Sequence, residues 1–175
     1  KLSNFILERF KYFMKEKDIR KDVIDTSLVN FNLNNLVVIY TKAYKLNKIL
    51  NKNIGIDLIK IYKRSYNIIN SDINNFDNKN LVQVDPALFK NDYEKDLYNK
   101  INYIRKTFTN IKIEKDYDAQ LLLLSSIKQQ VSNYFENVVV NDNDDSIKKN
   151  RILLLKLLCK TFDNYLSFAK IENIK

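Results

Sequence analysis

Residues 134–158 read YFENVVVNDNDDSIKKNRILLLKLL, and the fold turns on how that stretch is divided. An apolar triplet, Val138-Val139-Val140, runs into an acidic elbow, Asn141-Asp142-Asn143-Asp144-Asp145. Lys148-Lys149-Asn150-Arg151 then opens a run of leucines. Three readings compete: a calcium loop, a cluster of catalytic carboxylates, and a plain turn between two helices. A calcium loop of the EF-hand kind needs a Gly at its turn and a Glu at about its twelfth position. Asp142, Asp144 and Asp145 come with neither. Catalytic carboxylates need a pocket and a partner of another chemical type, and the stretch signals neither. The plain turn remains. Asp144 or Asp145 caps the helix that follows, where a carboxylate suits the positive end of the helix dipole.

That helix is expected to reach about Lys170. At about 100° per residue, its polar face holds Lys149, Lys156, Lys160 and Asp163. Arg151 falls on the other side, with Ile147, Leu154, Leu155, Leu158 and Phe162. A guanidinium aimed into a core is costly unless paired and hydrogen-bonded. A structural role is therefore expected for Arg151. Its candidate partners are Glu136, an elbow carboxylate, or the orphan carbonyls that end the preceding helix. Glu136 lies on the polar side of its own helix, which counts against it.

Upstream, the same helical spacing recurs. Phe5, Ile6, Phe10, Phe13 and Met14 predict a helix over 3–17, and Val23, Ile24, Leu28 and Phe31 a short second one. A third is expected over 35–52, punctuated by Gly55, and a fourth over 56–70. SDINNFDNKN (71–80) is polar and aperiodic, and marks the expected boundary between subdomains 1–70 and 84–175, joined by a loop over 71–83. Val84-Asp85-Pro86-Ala87-Leu88-Phe89 reads as an extended segment and a turn, because the residue before Pro avoids the helical region. Asn91 or Asp92 caps a fifth helix carrying Leu97, Ile101, Ile104 and Phe108. Asp116 caps a sixth that runs to about Asn137. The chain holds one Gly and one Pro, too few for the tight turns of a sheet protein. The class is all-α, a bundle of about seven helices in a single domain over 1–175.

Composition bounds the chemistry. There is no His, so histidine acid–base catalysis and histidine metal sites are outside this chain's reach. The single Cys159 sits among leucines and is read as a buried thiol, which suits a reducing cytoplasm. No apolar run approaches the roughly 18 residues of a membrane span. The chain begins at Lys1, and is read as a fragment of a longer one. A net charge of +9 favours a polyanionic partner, nucleic acid first and an anionic membrane surface second.

The charges concentrate on the fourth helix. Lys60, Lys63, Arg64 and Asn67 share one stripe, opposite Leu58, Ile61, Tyr62 and Ile69. Three cations and an amide suit a phosphate backbone plus a base edge or sugar. Tyr66 borders the stripe, where its ring could stack on an unpaired base. Lys45, Lys48 and Lys52 line the polar face of the third helix. The plain alternative is a solvated polar face, which most amphipathic helices have.

Five stretches, taken in order, resemble the C-terminal region of the bacterial glycyl-tRNA synthetase beta subunit. They are FILERFKYFMKEKDIRKDVIDTSL (5–28), YKRSYNII (62–69), VDPALFKNDYEKDLY (84–98), KDYDAQLLLLSSIKQQVSNYFENVVV (115–140) and IKKNRILLLKLL (147–158). Tyr62 stands where that family usually carries Asn, and Tyr66 where it carries a small or branched residue. The resemblance implies a DALR-type helical anticodon-binding domain, a class that also closes the arginyl enzyme. It implies tRNA-Gly as the ligand and the alpha subunit as partner, in a heterotetramer of two alpha and two beta chains. It also implies that ATP and Mg²⁺ chemistry lies outside this chain, which needs no cofactor of its own. On that view Lys60, Lys63 and Arg64 neutralise phosphates, and Lys45 and Lys149 also contact the RNA. Asn67 and Tyr66 meet loop bases, and Asn150 and Arg151 hold the elbow in shape beneath them. The rival readings are a helical docking module of the synthetase whose cations are solvated, and the equivalent domain of an arginyl-tRNA synthetase. A hydrolase built on the elbow carboxylates ranks last.

Overall fold

The computed structural model describes residues 2–29, 31–71, 83–110 and 115–172, and the polar stretch 72–80 expected to divide the chain lies outside the described residues. Among those described, every regular element is helical: α1 (Leu2–Glu16), α2 (Lys21–Ser27), α3 (Leu36–Leu50), α4 (Asn53–Ser71), α5 (Asp92–Phe108), α6 (Tyr117–Ser125), α7 (Lys128–Asn137) and α8 (Asp145–Asp163), with 3₁₀ turns at Leu33–Asn35 and Pro86–Leu88. Local chemistry sets most of the starts. Asn91 accepts from the Glu94 N–H while Glu94 accepts from the Asn91 N–H, closing a capping box on α5. Asp116 caps α6 through the Ala119 N–H, and Asp144 caps α8 through Ser146 and Ile147. At the end of α1, Asp18 takes a left-handed φ of 55° and the Ile19 N–H reaches back to the Met14 carbonyl at 3.3 Å. Asp is one of the few side chains that tolerates this conformation.

Three expectations need correction. Gly55 does not punctuate the third helix; it lies in the first turn of α4 and is buried. A Cβ at Gly55 would stand 2.2 Å from the Ile49 carbonyl oxygen and 2.6 Å from the Leu50 Cα, so the glycine permits a close backbone approach between α3 and α4. The sixth helix is divided in two. Ser125 and Ser126 donate their hydroxyls to the carbonyls of Leu122 and Leu123, and this back-bonding breaks the regular ladder between α6 and α7. The last helix ends at Asp163 rather than near Lys170. Asp163 accepts the Phe168 N–H at 3.2 Å, which turns the chain back so that Tyr165, Phe168 and Ile171 are buried.

α8 is the central strut, with ten of its 19 residues buried, and it packs along α4 and α5. Its leucines meet Leu58 and Tyr62 of α4 and Leu97, Ile101 and Ile104 of α5 in one core. The returning chain after α8 ties the first helices to it. Asp22 accepts the Glu172 N–H at 2.8 Å while pairing with Arg20, and the Tyr165 hydroxyl donates to the Lys42 carbonyl at 3.1 Å.

Candidate nucleic-acid interface

The acidic elbow is built around Arg151, which is 5% exposed. Its Nε donates to Glu94 Oε1 at 2.7 Å. Its Nη1 donates to the Val139 carbonyl at 2.8 Å and to Asp142 Oδ2 at 2.6 Å. Burial works against the guanidinium charge, but Glu94 and Asp142 outweigh it and hold the Arg151 pKa above its ordinary value. The Asp142 carboxyl is held below the usual carboxylate range, first by the Asp144 N–H and then by Arg151. Asn150 exchanges two hydrogen bonds with the backbone of Asp85, at 2.8 and 2.9 Å. Neighbouring side chains on α8 therefore clamp two incoming segments, the elbow and the Val-Asp-Pro turn. Glu136 is exposed and is not among the partners of Arg151. The main partner, Glu94, was not anticipated. Asn91-x-x-Glu94 is a capping-box signature legible in the sequence, but nothing local to it points at a residue 57 positions away.

The stripe on α4 is laid out beside α7. Asp57 pairs with Lys128 at 2.8 Å, and Arg64 lies over the Phe135 ring at 4.0 Å. Both pairs advance by seven positions (57 to 64, 128 to 135), so the two helices run in the same direction. Lys60, Arg64 and Asn67 are exposed on this stripe, and Lys63 is half-buried, with its Nζ donating to the Ala169 carbonyl at 3.3 Å. Tyr66 stacks on Tyr62, centroids 5.6 Å apart and planes 18° apart, which occupies one face of the ring. Lys149 is exposed in the first turns of α8. Lys45 is paired with Asp118 at the start of α6, so a carboxylate already meets its charge. On the same helix, Lys48 Nζ lies 4.5 Å from the centre of the Tyr44 ring, and the Tyr44 hydroxyl raises its pKa. Phe135, which flattens Arg64 against the surface, carried no signal in the sequence beyond helical periodicity.

A cleft of about 450 Å³ opens where the Val-Asp-Pro turn meets α5, between Pro86, Phe89, Lys90, Lys95, Tyr98 and Asn99. Phe89 and Tyr98 meet edge to face, with centroids 5.5 Å apart. Arg64 covers Phe135, which packs on Tyr134 at 5.4 Å; Tyr134 itself is fully buried. Glu94, also buried and held by Arg151, accepts the Lys90 and Asn91 N–H groups through Oε2 and so braces the wall of the cleft from below.

Two of the elbow carboxylates serve this bracing. Asp142 Oδ1 accepts the Asp144 N–H and Oδ2 the Arg151 guanidinium, while Asp144 Oδ1 accepts two amides. Among the described residues no group of three or more Cys, Asp or Glu side chains is placed to hold a metal ion.

Residues 58–175 match the family model described as the DALR anticodon binding domain. Over 169 residues, 96% of this chain, the sequence is 35% identical to the glycine–tRNA ligase beta subunit of Rickettsia typhi. It is 34% identical to those of Rickettsia prowazekii and Rickettsia bellii over the same length. The chain spans about a quarter of the length of these curated relatives, 23–24%. With about two thirds of its residues inside the matched domain and its all-helical architecture, the chain belongs to the DALR anticodon-binding domain family.

Proposed function

We propose that this chain holds the anticodon arm of tRNA-Gly as part of a glycine–tRNA ligase beta subunit, and carries out no bond-making step itself. Lys60, Lys63 and Arg64 neutralise loop phosphates, and Lys149, in the first turns of α8, adds a further exposed cation. Asn67 offers an amide to a base edge or sugar. The exposed face of Tyr66 and the Phe89–Tyr98 cleft offer aromatic surfaces to splayed bases. Lys45, already paired with Asp118, contributes only where RNA competes with that carboxylate. Asn150 and Arg151 touch no RNA and keep the elbow and the Val-Asp-Pro turn in place. In this reading glycine activation, with its ATP and Mg²⁺, lies on the alpha subunit, in a cytoplasmic assembly of two alpha and two beta chains.

The observation that carries the reading is the α4 stripe: three cations and an amide on one helix face, with Lys60, Arg64 and Asn67 exposed and Arg64 lying over the Phe135 ring. A titration of the protein against tRNA-Gly and an anticodon-swapped variant at two ionic strengths tests it. Tighter binding of tRNA-Gly, weakening with salt, is the expected result. Equal affinity for both RNAs, or binding insensitive to salt, would leave the cations as ordinary solvated surface and favour the docking-module reading.

A further inference from the structure

α1 is apolar over a wider arc than it buries. At about 100° per residue, Phe10 and Met14 face the core, and Met14 is the one residue of the helix that is fully buried. Leu2 and Phe13 flank that face and Phe5 and Tyr12 lie on the side away from it, all exposed, with Leu2 at 71% and Phe5 at 60%. The surface continues onto α3. The Phe13 ring lies 5.2 Å from Tyr40, and one turn back from Tyr40 stands Val37, 78% exposed, next to exposed Val38. Leu33 and Val29, in the segment between α2 and α3, are exposed as well. Single exposed apolar side chains are ordinary, but a contiguous set rimmed by polar residues marks a protein contact. On α1, Glu8, Lys11 and Lys15 border the set on one side, and Arg9 and Glu16 lie within it, Arg9 over the Phe5 ring at 5.4 Å.

Two observations say what covers this face. All of these residues precede residue 58, where the DALR match begins, yet similarity to the ligase beta subunits runs over 96% of the chain. The face therefore belongs to the part shared with those ligases outside the anticodon-binding match. Those relatives are also about four times longer than the matched segment, which is 24% of their length. Resting on the reading of this chain as part of a glycine–tRNA ligase beta subunit, we infer that the face formed by α1 and the start of α3 is a docking surface for the remainder of that beta polypeptide. The occupant is an apolar protein surface, because the aliphatic side chains Leu2, Leu33, Val37 and Val38 offer a phosphate backbone nothing to pair with.

The test uses introduced thiols. The native Cys159 is silent, being buried with its thiol pushed up to about 12, so an added cysteine reports alone. Phe5→Cys, Val37→Cys and, as a control on α5, Tyr103→Cys are each labelled with a maleimide. Each is read in the polypeptide as its gene encodes it and in the 175-residue chain. Labelling at positions 5 and 37 should be slowed about tenfold or more in the longer polypeptide, since a docked face is reached only in its undocked fraction, with position 103 unchanged. Hydroxyl-radical footprinting of the unsubstituted protein reads Phe5 and Tyr12 without any variant and should show the same protection. Equal rates at 5 and 37 in both forms would overturn the inference. So would protection of the 175-residue chain that rises with its own concentration, which would make the occupant a second copy. Protection that appears only when tRNA is added would assign the face to RNA and overturn it equally.

Discussion

Arg151 shows how one side chain can organise an end of a bundle. It is 5% exposed and its chief partner, Glu94, 1%. Glu94 also accepts two amides at the start of α5, so the pair is hydrogen-bonded on both sides, as a buried ion pair must be to persist. Arg151→Ala leaves Glu94 charged and buried, and should cost about 3–5 kcal/mol in a urea titration. The Asp142 arm adds a pH dependence. Its native pKa is lowered, so its contribution is fully present above the unfolded carboxyl value near 4 and is lost as pH falls through the lower native value. Asp142→Asn should therefore be less stable than the parent at neutral pH, and the gap should close on acidification below about pH 4, read by thermal melts at stepped pH. At this scale the sequence was half legible. Helical spacing alone places Arg151 among leucines, and its burial follows from that. Its pairing with Glu94 does not, because a wheel reports the face of one helix and not which distant helix is packed against it.

Helices and their ends were the most legible level, because caps are local chemistry. Asn91, Asp116 and Asp144 each stand at the start they were expected to mark. The misses are places where a tertiary contact outweighs a local preference. Asp163 stops α8 by accepting the Phe168 N–H, which gains the burial of Tyr165 and Phe168 at the expense of another helical turn. Ser125 and Ser126 divide α6 from α7 although the leucine periodicity runs through them. Gly55 is the clearest case. Gly→Ala inside a helix ordinarily gains up to about 1 kcal/mol. Here the added Cβ would lie 2.2 Å from the Ile49 carbonyl oxygen and 2.6 Å from the Leu50 Cα, and backbone cannot swing aside as a side chain can. The clash should win. Gly55→Ala is expected to lower stability by about 1–3 kcal/mol, seen as a reduced urea midpoint with an unchanged slope.

For the molecule as a whole, the net charge of +9 says only that polyanions are attracted. The fold decides which cations can act together. Lys63 is tied to the Ala169 carbonyl and Lys45 to Asp118, so removing either perturbs a packed contact as well as a charge. Lys60 and Arg64 are exposed on α4 and make the cleaner test, although Arg64 also rests on Phe135. With Lys60, Lys63 and Arg64 each neutralising one phosphate of an unpaired loop, log K should fall with log[salt] at a slope of about −2. Lys60→Ala with Arg64→Ala leaves one such contact, and the slope should shrink to about −0.7. Because neither cation is buried, the melting temperature should move little, which separates a lost contact from a damaged fold. Phe135→Ala sharpens the distinction. It keeps every charge but frees the guanidinium from the ring, so the slope should persist while affinity drops at all salt concentrations, as the cost of ordering Arg64 passes to the binding step. A slope that stays near −2 in the Lys60/Arg64 double variant would move the phosphate contacts off α4, towards Lys149 and the Lys90–Lys95 cleft.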